Sequence, residues 1–384
     1  MILEILLWTS VGAIAYSYCL YPLILLAGVK MRGSSTKQIT VANDLPLVSL
    51  VVSAYNESAV LEDKIRNMIE SDYPSDKIEY IVGSDGSTDR TPEILDRLAR
   101  PNLKPFIFKL RRGKAAVLNE LVANSVGDIL IFTDANTMFA RDTIRLLVSR
   151  LSEKEIGGVC GEMILQNEGI SVGGFGESTY WNYENVLKDL ESNFQTIIGA
   201  TGGVYAIRRS LFRSLPTNKV VVDDFLIPVQ VVTQGYSMVY EPKAHAYEKI
   251  SGSVGGEFKR RVRISAANFH GFSEFSHLLH PRYRFVAFSL WSHKIVRWST
   301  PFLLIAIFIL TMLLGGQSPL YRGVLIAEWI VIGLGLLGFL AERFHVRIGF
   351  LGFPYYFMAM NGALLVGFLK FLVGKQRPTW DIIR

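Results

Sequence analysis

The chain has 384 residues, 50% of them apolar and 19% charged, with 40 Lys and Arg against 34 Asp and Glu. Its mean hydropathy of +0.28, with fewer charges than the 25% or so of a soluble domain, predicts membrane segments. The 33 Gly and 14 Pro follow no period, and the two Cys are too few for a disulfide framework, which excludes collagen-like, solenoid and disulfide-scaffold classes.

Both cysteines, Cys19 and Cys160, read as buried thiols of a reducing compartment. The net charge of +6 sits beside apolar tracts and in one short Arg run, without interleaved aromatics. That pattern points to lipid headgroups or a nucleotide as partner and not to nucleic acid.

Residues 5–29 carry no charge and are long enough to cross a hydrocarbon core of about 30 Å as a helix. Glu4 precedes them, and Lys30, Arg32 and Lys37 come after. This is the reverse of a cleaved signal, so residues 1–40 are expected to form an anchor and linker, with the chain from residue 41 onward entering the cytoplasm.

Residues 41–276 alternate strand and helix patterns. Apolar runs at 47–54, 78–83, 104–110 and 128–133 predict strands. The stretches 58–70, 91–100 and 113–126 predict helices, the second opened by a Thr91 cap and Pro92. Such alternation predicts an α/β domain with a mostly parallel sheet covered on both faces, its ligand beyond the C-terminal ends of the strands.

The residues just past those ends are therefore the candidates. Tyr55 and Glu57 follow the first strand, Asp85 the second, and Asp134 with Asn136 the fourth. An aromatic ring beside two carboxylates suits a base and ribose hydroxyls, and a further acid suits a divalent ion on a diphosphate. Lys114 starts a helix, where a cation opposes the helix dipole unless a phosphate is present. Against these stand plainer readings, with Asp85 as a turn acid and Tyr55 as a core aromatic. There is no GxGxxG and no Gly-rich Lys-Ser/Thr loop, so neither a dinucleotide fold nor a P-loop NTPase is supported.

Further along, the glycines of 199–203 let a sugar approach the backbone, which puts Gly202 on the acceptor side. Trp181, with Tyr180 and Tyr183, either stacks on that acceptor or packs an amphipathic helix. His245 is a candidate Mn²⁺ ligand, or a structural histidine. Residues 277–298 predict an amphipathic interfacial helix (core 285–297), and 299–384 predict three spans at 298–321, 323–341 and 348–369. Three spans leave the tail outside, whereas Lys370, Lys375, Arg377 and Arg384 favour the inside. One segment is thus a candidate for re-entry. Glu328 and Asn361 read as helix-to-helix hydrogen bonds.

Together these motifs resemble the membrane-embedded family 2 glycosyltransferases of the cellulose synthase, hyaluronan synthase and poly-N-acetylglucosamine synthase type, over nearly the whole chain. Ser53-Ala54-Tyr55-Asn56-Glu57 resembles the family's opening nucleotide motif and Ser84-Asp85-Gly86-Ser87-Thr88-Asp89 its second. Arg112-Gly113-Lys114 with Leu118-Asn119 resembles the third, and Val222-Asp223-Asp224-Phe225 followed by Gly235-Tyr236 the motif that ends in the catalytic base.

The resemblance implies a GT-A catalytic domain flanked by transmembrane helices, in a bacterial inner membrane with the catalytic domain cytoplasmic. It implies sugar transfer from a UDP-linked donor to a saccharide or lipid-linked acceptor. Asp224 becomes the base, with Asp223 beside it on the acceptor side where many relatives have Glu. Tyr55, Glu57, Asp85, Lys114, Asp134 and Arg263 fall to the nucleotide sugar; Asp134, Asn136 and His245 fall to Mg²⁺ or Mn²⁺. One base and no evident nucleophile imply inversion. Two departures stand out: the family's DxD reads Asp134-Ala135-Asn136, and its QxxRW reads Arg260-Arg261-Val262-Arg263-Ile264. Arg263 keeps the arginine for the leaving diphosphate, leaving the other basic residues of the run to lipid headgroups. Ile264 lacks the flat face that would hold a growing polymer. The rival expectations are a processive synthase that exports its product and a silent nucleotide-binding membrane scaffold.

Overall fold

A computed structural model gives the fold and describes residues 1–33, 45–166, 172–249, 254–344, 346 and 348–374. The expected linker residue Lys37 and the tail residues Lys375, Arg377 and Arg384 lie outside the described residues. The chain starts as a helix in two parts, α1 (Ile2–Ala15) and α2 (Tyr21–Arg32), joined by a π-helical turn at Tyr16–Leu20. The α/β domain then runs β1 (Val48–Ala54), α3 (Leu61–Ile69), β2 (Ile78–Asp85), α4 (Thr91–Leu98), β3 (Leu103–Phe108), α5 (Lys114–Ala123) and β4 (Ile129–Asp134). It continues through β5 (Met138–Phe139), α6 (Thr143–Arg150), β6 (Ile156–Gln166), α7 (Val172–Phe194), β7 (Tyr205–Arg208), α8 (Asp223–Thr233), β8 (Ser237–Lys249) and α9 (Val254–Phe275). Last come α10 (Phe285–Ser289), a second π-helical turn at Leu290–Ile295, α11 (Val296–Leu314), α12 (Pro319–Arg343) and α13 (Gly352–Leu372).

The eight strands form one sheet in the order β3-β2-β1-β4-β7-β6-β8-β5. Strands β3, β2, β1 and β4 are parallel, as the alternation predicts. The other half is mixed, and the expectation of a mostly parallel sheet fails there. Strand β7 inserts between β4 and β6 and runs against both, and β5 runs against β8. Side-chain alternation explains the two-sided core. Val48, Leu50 and Val52 pack with Leu61, Ile65 and Ile94 under α3, α4 and α6, whereas Val51, Ile81 and Phe132 pack with Val117, Leu121 and Phe225 under α5 and α8.

Two expectations differ in detail. Thr91 does not cap α4; its hydroxyl accepts from the Glu57 amide, and Asp89 accepts from the Thr91 amide at 3.0 Å. Of the cysteines, Cys160 is buried, but Cys19 is exposed on the π-helical turn of the anchor.

Among the described residues, four helices are long and apolar enough to cross a membrane: Ile2–Arg32, Phe285–Leu314, Pro319–Arg343 and Gly349–Leu372. Residues 285–297, expected as a separate interfacial helix, are the first half of the second of these. Glu328 does bond across helices, accepting from Thr311 at 2.6 Å, whereas Asn361 donates within its own helix to the Phe357 carbonyl.

Helix α7 fastens these helices to the sheet. Its Glu191 accepts from Tyr21 at 2.7 Å and Ser289 at 2.9 Å and lies 2.9 Å from His293 Nδ1. Its Glu184 pairs with Arg297 and lies 3.2 Å from His293 Nε2. Both carboxyls are buried; burial pushes them up, but the neighbouring basic groups, Arg297 at Glu184 and His293 and Lys294 at both, outweigh it and hold them below the ordinary carboxylate range. Charges taken this far from water persist only when paired and hydrogen-bonded.

Candidate active site

Strands β1, β2 and β4 end side by side at Ala54, Asp85 and Asp134. Beyond them opens a cavity of ≈ 630 Å³, which α8 and α9 complete from the far side. Tyr55, Glu57, Lys114, Asp134, Asn136, Gly202, Asp223, Asp224, Arg263 and Ile264 all line it. A larger cleft, ≈ 770 Å³, lies at the opposite strand ends near Asp128 and Arg208. The guanidinium of Arg208 is taken there by the carbonyls of Leu151, Glu153 and Ile156. None of the candidate residues reaches that cleft, so the smaller cavity is the candidate site.

Charge organises its floor. Lys114 Nζ lies 2.9 Å from Asp134 Oδ1 and 3.0 Å from Asp223 Oδ2. Burial pushes the Asp134 carboxyl up, but Lys114, Arg260 and Lys64 outweigh it and hold Asp134 below the ordinary range. Asp224 goes the other way. Burial first, then the neighbouring Asp223 and Asp134, push it up to about 7, against the opposing pull of Lys114 and Arg260. It lies in the first turn of α8 after Val222 and does not cap the helix. A carboxylate is favoured in that turn by the helix dipole.

Gly202 brings the two sides together. A Cβ built on it would stand 2.8 Å from Asp224 Oδ2 and 3.5 Å from Asp134 Oδ2. A side chain there would displace the Asp224 carboxylate and touch that of Asp134, so glycine leaves both open to the cavity. The Ala200 amide donates to the Asp224 carbonyl at 2.7 Å, which ties the glycine segment to α8.

Several candidates sit elsewhere than expected. Asp85 does not line the cavity: its oxygens accept from the amides of Arg112 at 2.6 Å and Gly113 at 2.8 Å, so it shapes the loop that delivers Lys114. Tyr55 carries the Arg111 guanidinium on its ring at 3.7 Å. His245 is not beside Asp134; its Nε2 lies 3.4 Å from Glu162, outside the lining. Trp181 is outside it too, with Lys188 Nζ 5.7 Å from its ring, and Tyr183 is bonded to the Tyr18 carbonyl and Arg297. Arg260 and Arg261, expected at lipid headgroups, turn inward. Arg260 lies 3.8 Å from Glu248 and Arg261 lies 3.4 Å from Glu257.

Glu248 joins the site without having stood out in the sequence. It accepts from Asn136 Nδ2 at 3.1 Å, and burial first, then Asp134, raises its carboxyl. Asp134, Asn136 and Glu248 thus offer two carboxylates and an amide oxygen at one rim. Among the described residues no cluster of three or more His, Cys, Asp or Glu forms a ready metal cage. Such a hard-oxygen set fits Mg²⁺ or Mn²⁺ only when phosphate oxygens or water complete the coordination.

Lys64 is the second such residue, and it did leave a signal. It stands in the apolar stripe of α3 with Leu61, Ile65 and Met68. Fully buried, it donates to Thr133 Oγ1 at 2.8 Å and to the Thr137 carbonyl, bracketing the Asp134 turn from below.

This arrangement defines a class. A sheet of this order with acids at the β1, β2 and β4 ends is the α/β GT-A fold of nucleotide-diphospho-sugar transferases, here flanked by apolar helices. The fold is shared along the whole chain with a mannosyltransferase from Pyrobaculum calidifontis solved with GDP-mannose and Mn²⁺. The TM-score is 0.72 at 23% identity, covering 97% of this chain and 100% of that one. Residues 49–215 match the model of Glycosyl transferase family 2. A poly-beta-1,6-N-acetyl-D-glucosamine synthase of Staphylococcus aureus is 25% identical over 231 residues, 58% of this chain and 54% of that protein. A probable glycosyltransferase of Bacillus subtilis, YdaM, is 26% identical over 238 residues, 59% and 56% of the two chains. The chain thus spans about half the length of the curated relatives it matches.

Burial pushes the Lys64 amine down to about 7, so between there and the ordinary lysine value the unfolded chain binds the extra proton. The contribution of Lys64 to stability then grows as pH rises through that window. Lys64→Met should remove this pH dependence and leave Thr137 O without its donor, costing about 1–3 kcal/mol. Melting in detergent from pH 7 to 10 checks it: wild type should gain on the variant as pH rises, and parallel curves would contradict the assignment.

Proposed function

We propose that the protein is an inverting hexosyltransferase of a bacterial inner membrane, its catalytic domain on the cytoplasmic side. It takes a sugar from a UDP-linked donor and passes it to a saccharide or lipid-linked acceptor, in polysaccharide or glycolipid synthesis. The observation that carries this reading is the convergence of Asp224 and Asp134 on Gly202 in one cavity.

On this reading the acceptor hydroxyl attacks the anomeric carbon while Asp224 takes its proton, and a carboxyl at about 7 is matched to that task at neutral pH. Lys114 and Arg263 face the charge that develops on the departing diphosphate. Lys114 is already oriented by Asp134 and Asp223, so little rearrangement is needed on donor binding. Asp134, Asn136 and Glu248 would hold a divalent cation, which when bound neutralises diphosphate charge. The glycines around Gly202 leave room for the sugar between base and diphosphate. Purified protein offered a panel of radiolabelled UDP- and GDP-sugars tests the reading. Neither transfer nor hydrolysis of any donor would leave a nucleotide-binding scaffold in its place.

Asp224→Asn keeps shape but removes the proton acceptor, and turnover should fall about 10²- to 10⁴-fold with nucleotide affinity nearly unchanged. Because a raised pKa delays formation of the base, kcat/KM of the wild type should fall tenfold per pH unit below about 7. An acid limb near 4, the ordinary carboxylate value of about 3.9, or a variant within about threefold of wild type, would move the role to Asp223.

Chelation should abolish transfer, and Asn136→Asp should tighten apparent metal affinity by adding charge to the rim. Full activity in excess chelator would leave Lys114 and Arg263 as the only balance for the diphosphate.

Product length depends on Ile264, which lines the cavity without a flat face. Losing a stacking contact worth about 1 kcal/mol raises release several-fold at every addition, so one or a few sugars per encounter are expected. The polymer-forming synthase among the matched relatives favours the opposite outcome. Sizing products by electrophoresis at limiting acceptor decides between them: very long chains beside unused acceptor would overturn the short-product expectation, and Ile264→Trp should lengthen products.

A further inference from the structure

We infer that only three of the four long apolar helices cross the membrane. Helix α13 lies flat against the leaflet that faces the α/β domain, and its C-terminal end emerges on the domain's side. The inference rests on the proposed membrane embedding but not on the transfer reaction.

Depth can be read from contacts. Helices α11 and α12 run antiparallel, and Thr311 bonds Glu328 at 2.6 Å while the Phe308 and Trp329 rings lie 5.4 Å apart. From that level toward the α/β domain, Gly338 is ~15 Å along α12 and Phe302 is ~14 Å along α11 at 1.5 Å per residue. Helix α13 touches both. A Cβ on Gly338 would stand 2.7 Å from Tyr355, and the Phe368 ring is 5.0 Å from Phe302. Some 20 Å of helix axis separates Tyr355 from Phe368, yet the two meet neighbours at one depth. A crossing helix would hold them at depths about that far apart.

Helix α9 gives the same answer independently. It runs alongside α13 for most of their lengths, Val254 clustering with Tyr356, and a Cβ on Gly362 would stand 3.7 Å from the Phe258 ring. Further along, Ser265 donates to the Leu364 carbonyl at 3.0 Å, and the Phe269 ring lies 5.8 Å from Phe371. Yet α9 carries Glu257, Arg260, Arg261 and Arg263 and lines the active-site cavity, so it cannot enter the hydrocarbon. A helix locked along it stays at the same level. The outer side of α13 is apolar, with Phe353 54%, Leu369 50% and Leu372 61% exposed. The acyl chains of the adjoining leaflet are the partner this face fits. An odd number of crossings also puts Lys370 on the domain's side, where the positive-inside rule wants it.

Single cysteines test this in a background with Cys19→Ala and Cys160→Ala. Lys154→Cys marks the α/β domain, Gln317→Cys the α11–α12 turn and Lys370→Cys the end of α13; all three positions are exposed. With a membrane-impermeant maleimide on sealed vesicles, Lys370→Cys should label from the same side as Lys154→Cys, and Gln317→Cys from the other. Lys370→Cys labelling with Gln317→Cys would overturn the inference. Lys154→Cys and Gln317→Cys on one side would instead overturn the membrane embedding itself. Should a variant fail to insert, the unaltered chain with an epitope tag after Arg384 serves. Protease should remove the tag only from the side where it also cuts the α/β domain, and removal from the opposite side alone would refute the proposal.

Discussion

One ammonium group between two carboxylates sets up the whole cleft. Lys114 reaches Asp134 at the end of the parallel half of the sheet and Asp223 at the start of α8, which belongs to the mixed half. The same cation that joins the halves fixes how their acids differ. Asp134, in direct contact with Lys114, stays ionised. Asp224, one residue past the ion pair, feels burial and two like-charged neighbours and is pushed up to about 7. Environments that push neighbouring carboxyls apart in this way separate charge-holding from proton transfer.

Much of this cleft is legible in the sequence because the parallel half is built from local rules. Strands β1 and β2 are buried along almost their whole length and so read as continuous apolar runs, each followed by turn residues. The helices between them begin and end within a few residues of their patterns. Tyr55, Lys114 and Asp134 stand out by position, since strand ends in such a sheet face one crevice, whereas Asp224 stands out only through the resemblance of its motif.

The rest depends on contacts that sequence distance hides. Glu248 meets Asn136 only because β8 returns to the sheet beside β6, past a bulge where Gly161 pairs Glu241 and Glu162 pairs His245, and Arg260 of α9 comes within 3.8 Å of that same Glu248. His245 and Glu248 are an odd number of residues apart, so they project to opposite faces of the strand, and the more conspicuous ligand type is the one pointing away. Asp85 reads as a ligand because nothing in Ser-Asp-Gly-Ser says that two amides of the next loop already occupy its oxygens. Lys64 lies in plain view as a charge inside an apolar stripe, but its partners Thr133 and Thr137 belong to another layer.

The two π-helical turns, Tyr16–Leu20 and Leu290–Ile295, face each other across the paired helices. Tyr16 meets Ser292 Oγ at 2.6 Å and Ser17 donates to the Ser292 carbonyl at 2.6 Å. A π turn is an α-helix carrying one extra residue, and each extra residue turns everything beyond it by ~100° about the helix axis. Matched insertions at one level cancel as a pair. On one side the helices present Leu7 to Ile307 and Leu310, and on the other Tyr21 and His293 to the glutamates of α7. The two turns are in effect a single indel shared between distant segments, so their lengths are bound to change together or not at all.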